Sequence, residues 1–430
     1  MQPGCNTKEI TLPRTILKKM KKSIFFLFAI AVTVTATAQE LTYDSYMQRV
    51  LENNTAIVAE AMNIDIAQAA LKNSKVYNDP TLSIQYANNE DWNTDLGQSI
   101  AANLSRTFTL GVRRAGIRLA DKELQATTAV FNDYMRNFHA DATLAYLCHI
   151  RAKELQKIAA NRESYMQQLA QSDSLRYTRG EIAKTVWIES RLAAGLTRNG
   201  RLQADAELRN SAIELGYYMG TLDGSEEIVA AGTLESATAP LESPDRYIKQ
   251  ALANRADLLV AVSRVDVANA EKRLNSARRR IELELSIGAE YNKADPSFTK
   301  LMVGVAIPLR FSNLNSGARA MDRAKVQQAE GELADTRMLV QSEVMQAYNN
   351  CRIAGKQKET FTQGMMQETA ELLQSKRKAY QMGEISFVDF IETERSDNMM
   401  QEEYINSLYN SAASYVELQR SIGITAESTR

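Results

Sequence analysis

Hydrophobic positions along the chain follow two periods, and each period occurs twice. From Thr42 to Val76, apolar residues such as Tyr46, Val50, Ile57, Ala61 and Ile64 recur at three to four positions, which predicts helix. Pro80 breaks that pattern and the period falls to two: Leu82, Ile84 and Tyr86 share one face, and a weaker alternating run extends from Ser99 to Phe108 beyond the polar loop NNEDWNTDLG. The succession then repeats, with a helical pattern over Asp245 to Arg278. Next, Ile281, Leu283, Leu285, Ile287, Ala289 and Tyr291 oppose Glu282, Glu284, Ser286, Gly288 and Glu290. After the loop NKADPSF, Leu301, Val303, Val305, Ile307 and Leu309 alternate with Met302, Gly304, Ala306, Pro308 and Arg310. Each run approaches the length of a tilted strand crossing the hydrocarbon of a bilayer, about 9–11 residues. The same alternation also suits an antiparallel sheet covering a core, with its polar side in solvent. Four strands cannot close a barrel, so the membrane reading requires an oligomer in which each chain contributes four.

Between and after the strands the period lengthens again. No proline occurs between Thr81 and Ala239 or from Leu309 onward, which leaves room for long uninterrupted helices. Leu124, Phe131, Phe138, Ala145, Ala152, Ala159 and Met166 follow one another at spacings of seven, as do Val326, Leu333, Val340, Ala347, Ala354 and Phe361. Sustained heptads predict coiled-coil packing of left-handed sense. A helix from near Gly111 to near Tyr177 would reach about 100 Å at ~1.5 Å per residue. Returning helices are predicted from about Lys184 to Met219 and from about Val388 to Ile422.

The turns between outgoing and returning helices carry the clearest sign of duplication. YTRGEI at Tyr177 recurs as YQMGEI at Tyr380, so Gly180, Glu181 and Ile182 correspond to Gly383, Glu384 and Ile385 at an offset of 203. Each glycine can take the positive φ that ends one helix and admits the next. The expected organisation is a presequence over 1–38, a first repeat over 39–220 with strands 81–90 and 99–108 and a tip near 177–183, and a linker over 221–243. A second repeat follows over 244–423, with strands 281–291 and 300–310 and a tip near 380–386, and then a tail over 424–430.

Lys21 and Lys22, the apolar run Ile24 to Val34 and the sequence Ala36-Thr37-Ala38 predict a secretory signal peptide cleaved before Gln39, with Met20 a candidate start. Cleavage leaves 45 Lys and Arg against 51 Asp and Glu, a mildly acidic chain unlike a nucleic-acid binder. Cys148 and Cys351 occupy nearly equivalent places in separate repeats, a poor arrangement for a disulfide. No nucleotide-binding loop, C-x-x-C or H-E-x-x-H motif occurs. His139 and His149 lie ten residues apart, off a common helix face, so neither a metal site, a cofactor nor an enzymatic activity is expected.

Taken together, the signal peptide, the two repeats of helix, strand, strand, long helix, tip turn and returning helix, and the YxxGEI tips resemble the TolC-like family of outer-membrane efflux proteins. NRADLLVA at Asn254, VAIPLRFSNLNSGAR from Val305 and NDPTLSI at Asn78 add to the resemblance, and TLGVRRAG at Thr109 is similar to a passage in heavy-metal efflux members. The resemblance implies a mainly helical fold with membrane β-structure. Three chains would share a 12-stranded β-barrel in the outer membrane of a Gram-negative bacterium, continued into the periplasm by an α-barrel of long coiled-coil hairpins. It implies a passive channel that partners a periplasmic adaptor and an inner-membrane efflux pump. A periplasmic coiled-coil adaptor or scaffold is the competing class. By the same resemblance the channel gate falls on Asp389 and Glu392, and adaptor docking falls on the tip turns, Tyr177, Gly180, Glu181, Tyr380, Gly383 and Glu384. Ser386-x-x-Asp389 is also a capping box, which accounts for Asp389 without a pore. Tyr177 and Tyr380 either hydrogen-bond across hairpins to hold the tip shut or pack beside the turns.

Overall fold

The computed structural model describes residues 41–88, 97–221, 228–234, 240–280, 282–293, 300–308 and 315–424. The signal peptide, the outer parts of both strand loops, Ile281, Leu309, Arg310 and most of the tail lie outside the described residues.

Thr42 caps α1 (Tyr43–Asn53), and Asn54 both ends it and caps α2 (Thr55–Ser74), its Oδ1 accepting from Ala56 and Ile57 N–H. Strands β1 (Thr81–Asn88) and β2 (Gln98–Thr109) follow. Gly111, at φ 83°, then turns the chain into α3 (Val112–Thr178), a single helix of 67 residues. A short tip leads into α4 (Lys184–Tyr218). The second repeat gives α5 (Pro244–Asn254), α6 (Ala256–Arg278), β3 (Glu282–Asn292), β4 (Lys300–Ala306) and α7 (Ser316–Thr360), then α8 (Met366–Met382) and α9 (Phe387–Ile422).

The second outgoing helix departs from the uninterrupted rod expected from the absence of proline. A π-helical turn at Phe361–Met365 separates α7 from α8, and Gly364 there has φ 109°. Such a turn accommodates one additional residue and shifts the seam. The heptad register ends at Phe361, where the turn begins, and the buried positions resume with Leu373 and Tyr380, seven apart. In the first repeat Phe131, Phe138, Ala145, Ala152 and Met166 are all buried, as the spacing of seven requires.

The four strands form one antiparallel sheet in the order β1-β2-β3-β4. The two predicted hairpins are therefore joined by pairing between repeats, Leu104 opposite Ile287 and Ile100 opposite Tyr291. Register places Leu82, Leu104, Ile287 and Val303 in one row across the sheet. This apolar face is the open one: Leu82 is 63% exposed, Ile84 70%, Leu301 74% and Val303 77%. On β2 the polar residues Asn103, Ser105 and Thr107 of the opposite face are less exposed than their apolar neighbours. That inversion is the reverse of a sheet covering a soluble core.

Nearest the middle of the hairpins, the repeats are fastened by equivalent devices of different chemistry. Asn54 donates to Tyr218 O at 2.8 Å, and Arg255, between α5 and α6, donates to Ser421 O at 3.2 Å. Each pair brings the bend between two short helices against the end of a returning helix. Gly220 and Gly423 close those ends, at φ 70° and 80°. A Cβ on Gly220 would lie 2.6 Å from Asn53 O, and one on Gly423 would lie 3.1 Å from the Arg255 backbone. The linker is part of this core: Leu41 pairs with Ala230 in a parallel bridge, and Ala230 and Leu234 are buried. Cys148 and Cys351 are free thiols.

Candidate functional site at the hairpin tips

Both tips close by the same backbone chemistry. Gly180 N–H donates to Tyr177 O at 2.9 Å and Glu181 N–H to Arg176 O at 2.9 Å; Gly383 and Glu384 repeat the pair on Tyr380 O and Ala379 O at 3.0 and 2.9 Å. These are Schellman closures, and the glycines supply the left-handed residue at φ 79° and 80°. Nothing lies within 4 Å of where a Cβ would stand on either glycine, so both turns are open to a partner. Glu181 and Glu384 are exposed beside them.

The two tip tyrosines differ in what they touch. Tyr177 stays in its own hairpin, its ring stacked on Trp187 with centroids 5.2 Å apart. Tyr380 is 4% exposed and its hydroxyl donates to Asp173 Oδ2 on α3 at 3.0 Å, a bond between hairpins. Its ring stacks on Phe390 at 5.3 Å, with Phe387 edge-on at 5.8 Å. Burial and the adjacent Asp173 carboxylate push the Tyr380 hydroxyl well above its ordinary pKa, so it remains a donor at any physiological pH. Asp173 is fully buried, and Arg176 approaches its other oxygen at 3.5 Å.

Higher on the same seam, Arg162 of α3 grips Glu394 of α9 through two bonds of 2.9 and 3.1 Å. Arg201 of α4 meets Glu163 at 3.0 Å. Arg377 of α8 lies 3.7 Å from the Tyr165 ring centroid. Met166, Leu169, Leu373, Phe387, Phe390 and Ile391 form the apolar cluster around these groups. Full burial of Phe390 alone contributes about 1.5–3 kcal/mol. The tip is thus an apolar plug crossed by charged and hydrogen-bonded ties between the repeats.

Asp389 and Glu392 are exposed on the first turns of α9, away from the face that buries Phe387, Phe390, Ile391 and Glu394. Ser386 caps the helix, accepting from Asp389 N–H at 3.1 Å and donating to its Oδ2 at 2.7 Å. That hydrogen bond holds the Asp389 carboxyl below the ordinary carboxylate range. The capping box therefore forms, and it leaves the carboxylate on the surface.

Asp173, Arg162, Glu394 and Arg176 were not predicted as site residues. One signal for Asp173 was available: the heptad series through Met166 runs next to position 173, where an acid stands in a core position. Elsewhere, His149 is buried and bonded to Ser211 Oγ at 2.9 Å. Among the described residues no three His, Cys, Asp or Glu side chains converge as a metal site, and no helix is long and apolar enough to cross a membrane.

Residues 247–424, most of the second repeat, match the family model described as outer membrane efflux protein. That match agrees with the TolC-like resemblance carried by the sequence motifs. A search of curated proteins finds no match. Solved structures share the fold of this chain at low identity. CusC, crystallised in work on folding and transmembrane channel formation, is 17% identical with TM-score 0.74, covering 92% of this chain and 96% of that one. The Campylobacter jejuni outer membrane channel CmeC is 14% identical with TM-score 0.73, covering 88% and 85%. The Vibrio cholerae outer membrane protein VceC is 16% identical with TM-score 0.72, covering 88% and 95%.

Proposed function

We propose that the protein is the outer-membrane channel of a tripartite efflux system, a passive homotrimeric conduit from periplasm to exterior. The observation that carries this reading is the inverted sheet, apolar on its open face, with β2 leading through Gly111 into a helix of 67 residues. Three such sheets, joined edge to edge, make a closed wall with lipid outside and a polar lumen inside. The helices carry the conduit into the periplasm, where the tips meet a periplasmic adaptor and, through it, an inner-membrane pump. The sole sheet among the described residues is this one, which favours the channel over an adaptor built around a separate β-domain.

Within the channel, the exposed turns at Gly180, Glu181, Gly383 and Glu384, with Tyr177 and Tyr380 behind them, are the docking surface. Asp389 and Glu392 are the gate: threefold symmetry repeats each carboxylate around the axis, and such rings favour cations. The Tyr380–Asp173 bond and the Arg162–Glu394 pair resist separation of the hairpins, and an adaptor that binds the tips better when they are apart shifts that balance. The test is purification from outer membranes followed by planar-bilayer recording. A trimer with discrete conductance is expected; a monomer recovered from the soluble periplasm refutes the reading.

A further inference from the structure

The open face of β2 presents Ile100, Ala102, Leu104, Arg106 and Phe108. One cation interrupts an otherwise apolar row, close to the end where the strand passes into α3. Arg106 is not loose there: its guanidinium carbon lies 5.5 Å from the Phe108 ring centroid and 5.9 Å from that of Tyr77. Tyr77 also takes Arg113 at 4.1 Å, and Arg113 is fixed through Nε and Nη2 to Lys75 O at 3.0 and 2.6 Å. Arg280 reaches the same foot of the strand, with Nη1 3.8 Å from where a Cβ on Gly111 would stand. Among the described residues no carboxylate forms an ion pair with Arg106, Arg113 or Arg280. An arginine on the lipid side of a barrel is costly at mid-bilayer and nearly free at the interface, so Arg106 marks the level of the headgroups on the periplasmic side.

We propose that Arg106 and Arg113, held by Tyr77 and supported by Arg280, form a docking site for the phosphate of an anionic phospholipid, phosphatidylglycerol, in the periplasmic leaflet. The planar guanidinium fork of Arg106 matches a phosphate, Arg113 adds its charge and the donors that Lys75 O leaves free, and the aromatic rings beside both remove much of the freedom that binding would otherwise cost. Continuity with Leu104, Phe108 and Leu285 supplies an apolar path for the acyl chains, which a free phosphate would not use. The inference rests on the membrane reading of the sheet and adds a lipid specificity to it.

Native mass spectrometry of the purified trimer, exchanged into micelles containing equal phosphatidylglycerol and phosphatidylcholine, tests the site. Wild type is expected to retain phosphatidylglycerol preferentially, and Arg106→Gln with Arg113→Gln to lower retention substantially, at about fivefold per arginine. Arg209→Gln, an exposed arginine on α4, is expected to change nothing. Equal retention by wild type and the double variant overturns the proposal, as does displacement of the lipid by millimolar inorganic phosphate. Should the double variant fail to assemble, hydrogen exchange on wild-type trimers in nanodiscs decides. Protection across 109–115 in phosphatidylglycerol over phosphatidylcholine is expected, and identical exchange overturns the site. Conductance of the same preparation separates the two failures: a conducting trimer without lipid preference refutes only this site, whereas a preparation without channels refutes the conduit.

Discussion

Replacing Tyr380 by Phe removes one oxygen and keeps the ring. Its stacks on Phe390 and Phe387 survive, so packing of the apolar plug is preserved. What disappears is the 3.0 Å donor to Asp173, a carboxylate with no exposed surface whose remaining charged neighbour, Arg176, stands at 3.5 Å. A hydrogen bond to a charged group contributes about 1.5–3 kcal/mol, which corresponds to about ten- to hundredfold in the balance between joined and separated hairpins of one chain. Planar-bilayer recordings of the trimer are expected to show larger or more frequent openings for Tyr380→Phe than for wild type. Tyr177→Phe is the matched control, because Tyr177 contributes a ring stacked on Trp187 within one hairpin. It is expected to conduct as wild type does. The reasoning is refuted by unchanged conductance in Tyr380→Phe, or by a larger effect at Tyr177 than at Tyr380.

Removing both carboxylates of the proposed gate, Asp389→Ala with Glu392→Ala, is expected to raise single-channel conductance and weaken cation selectivity, whereas Ser386→Ala is expected to cost about 1 kcal/mol of helix capping with selectivity unchanged. Gly180→Ala, strained in φ but sterically free, is expected to cost about 1–2 kcal/mol in thermal or denaturant unfolding. Gly220→Ala combines the same strain with a Cβ 2.6 Å from Asn53 O and is expected to cost clearly more. Burial, chiefly, holds the His149 pKa down to about 4 against an ordinary 6.5. The unfolded chain therefore binds a proton there that the native chain refuses, so this contribution to stability is complete above pH 6.5 and is lost as pH falls toward about 4. Denaturation midpoints measured across that window are expected to fall less steeply for His149→Gln than for wild type.

Periodicity made most of the architecture legible. The alternation of Leu283, Leu285 and Ile287 with Glu282, Glu284 and Ser286 marks strand whatever the surroundings, and the heptads mark helix because a spacing of seven survives many turns. Alternation could not say which face of the sheet meets lipid or that β2 pairs with β3, since both depend on contacts between distant parts of the chain. The π-turn was hidden because no proline signals it; Gly364 is the local trace, and glycine alone is ambiguous. At the tips, the glycine turns and the Ser386 cap are local chemistry and could be read directly. Tyr380 could be singled out by its repeat, but its partner Asp173 stands in the other repeat, and no local pattern connects them.

The β2–β3 pairing has a consequence for how the molecule is made. Ile100 cannot find Tyr291 until nearly two hundred residues separating them have been synthesised and exported. Closing so long a segment is slow, because chain entropy is lost before any contact repays it. Even then β1 and β4 remain outer strands with one row of backbone groups unsatisfied, a state that water tolerates and hydrocarbon does not. In the proposed channel a single subunit is thus barred from entering the bilayer alone, and trimer assembly and membrane insertion become one coupled event.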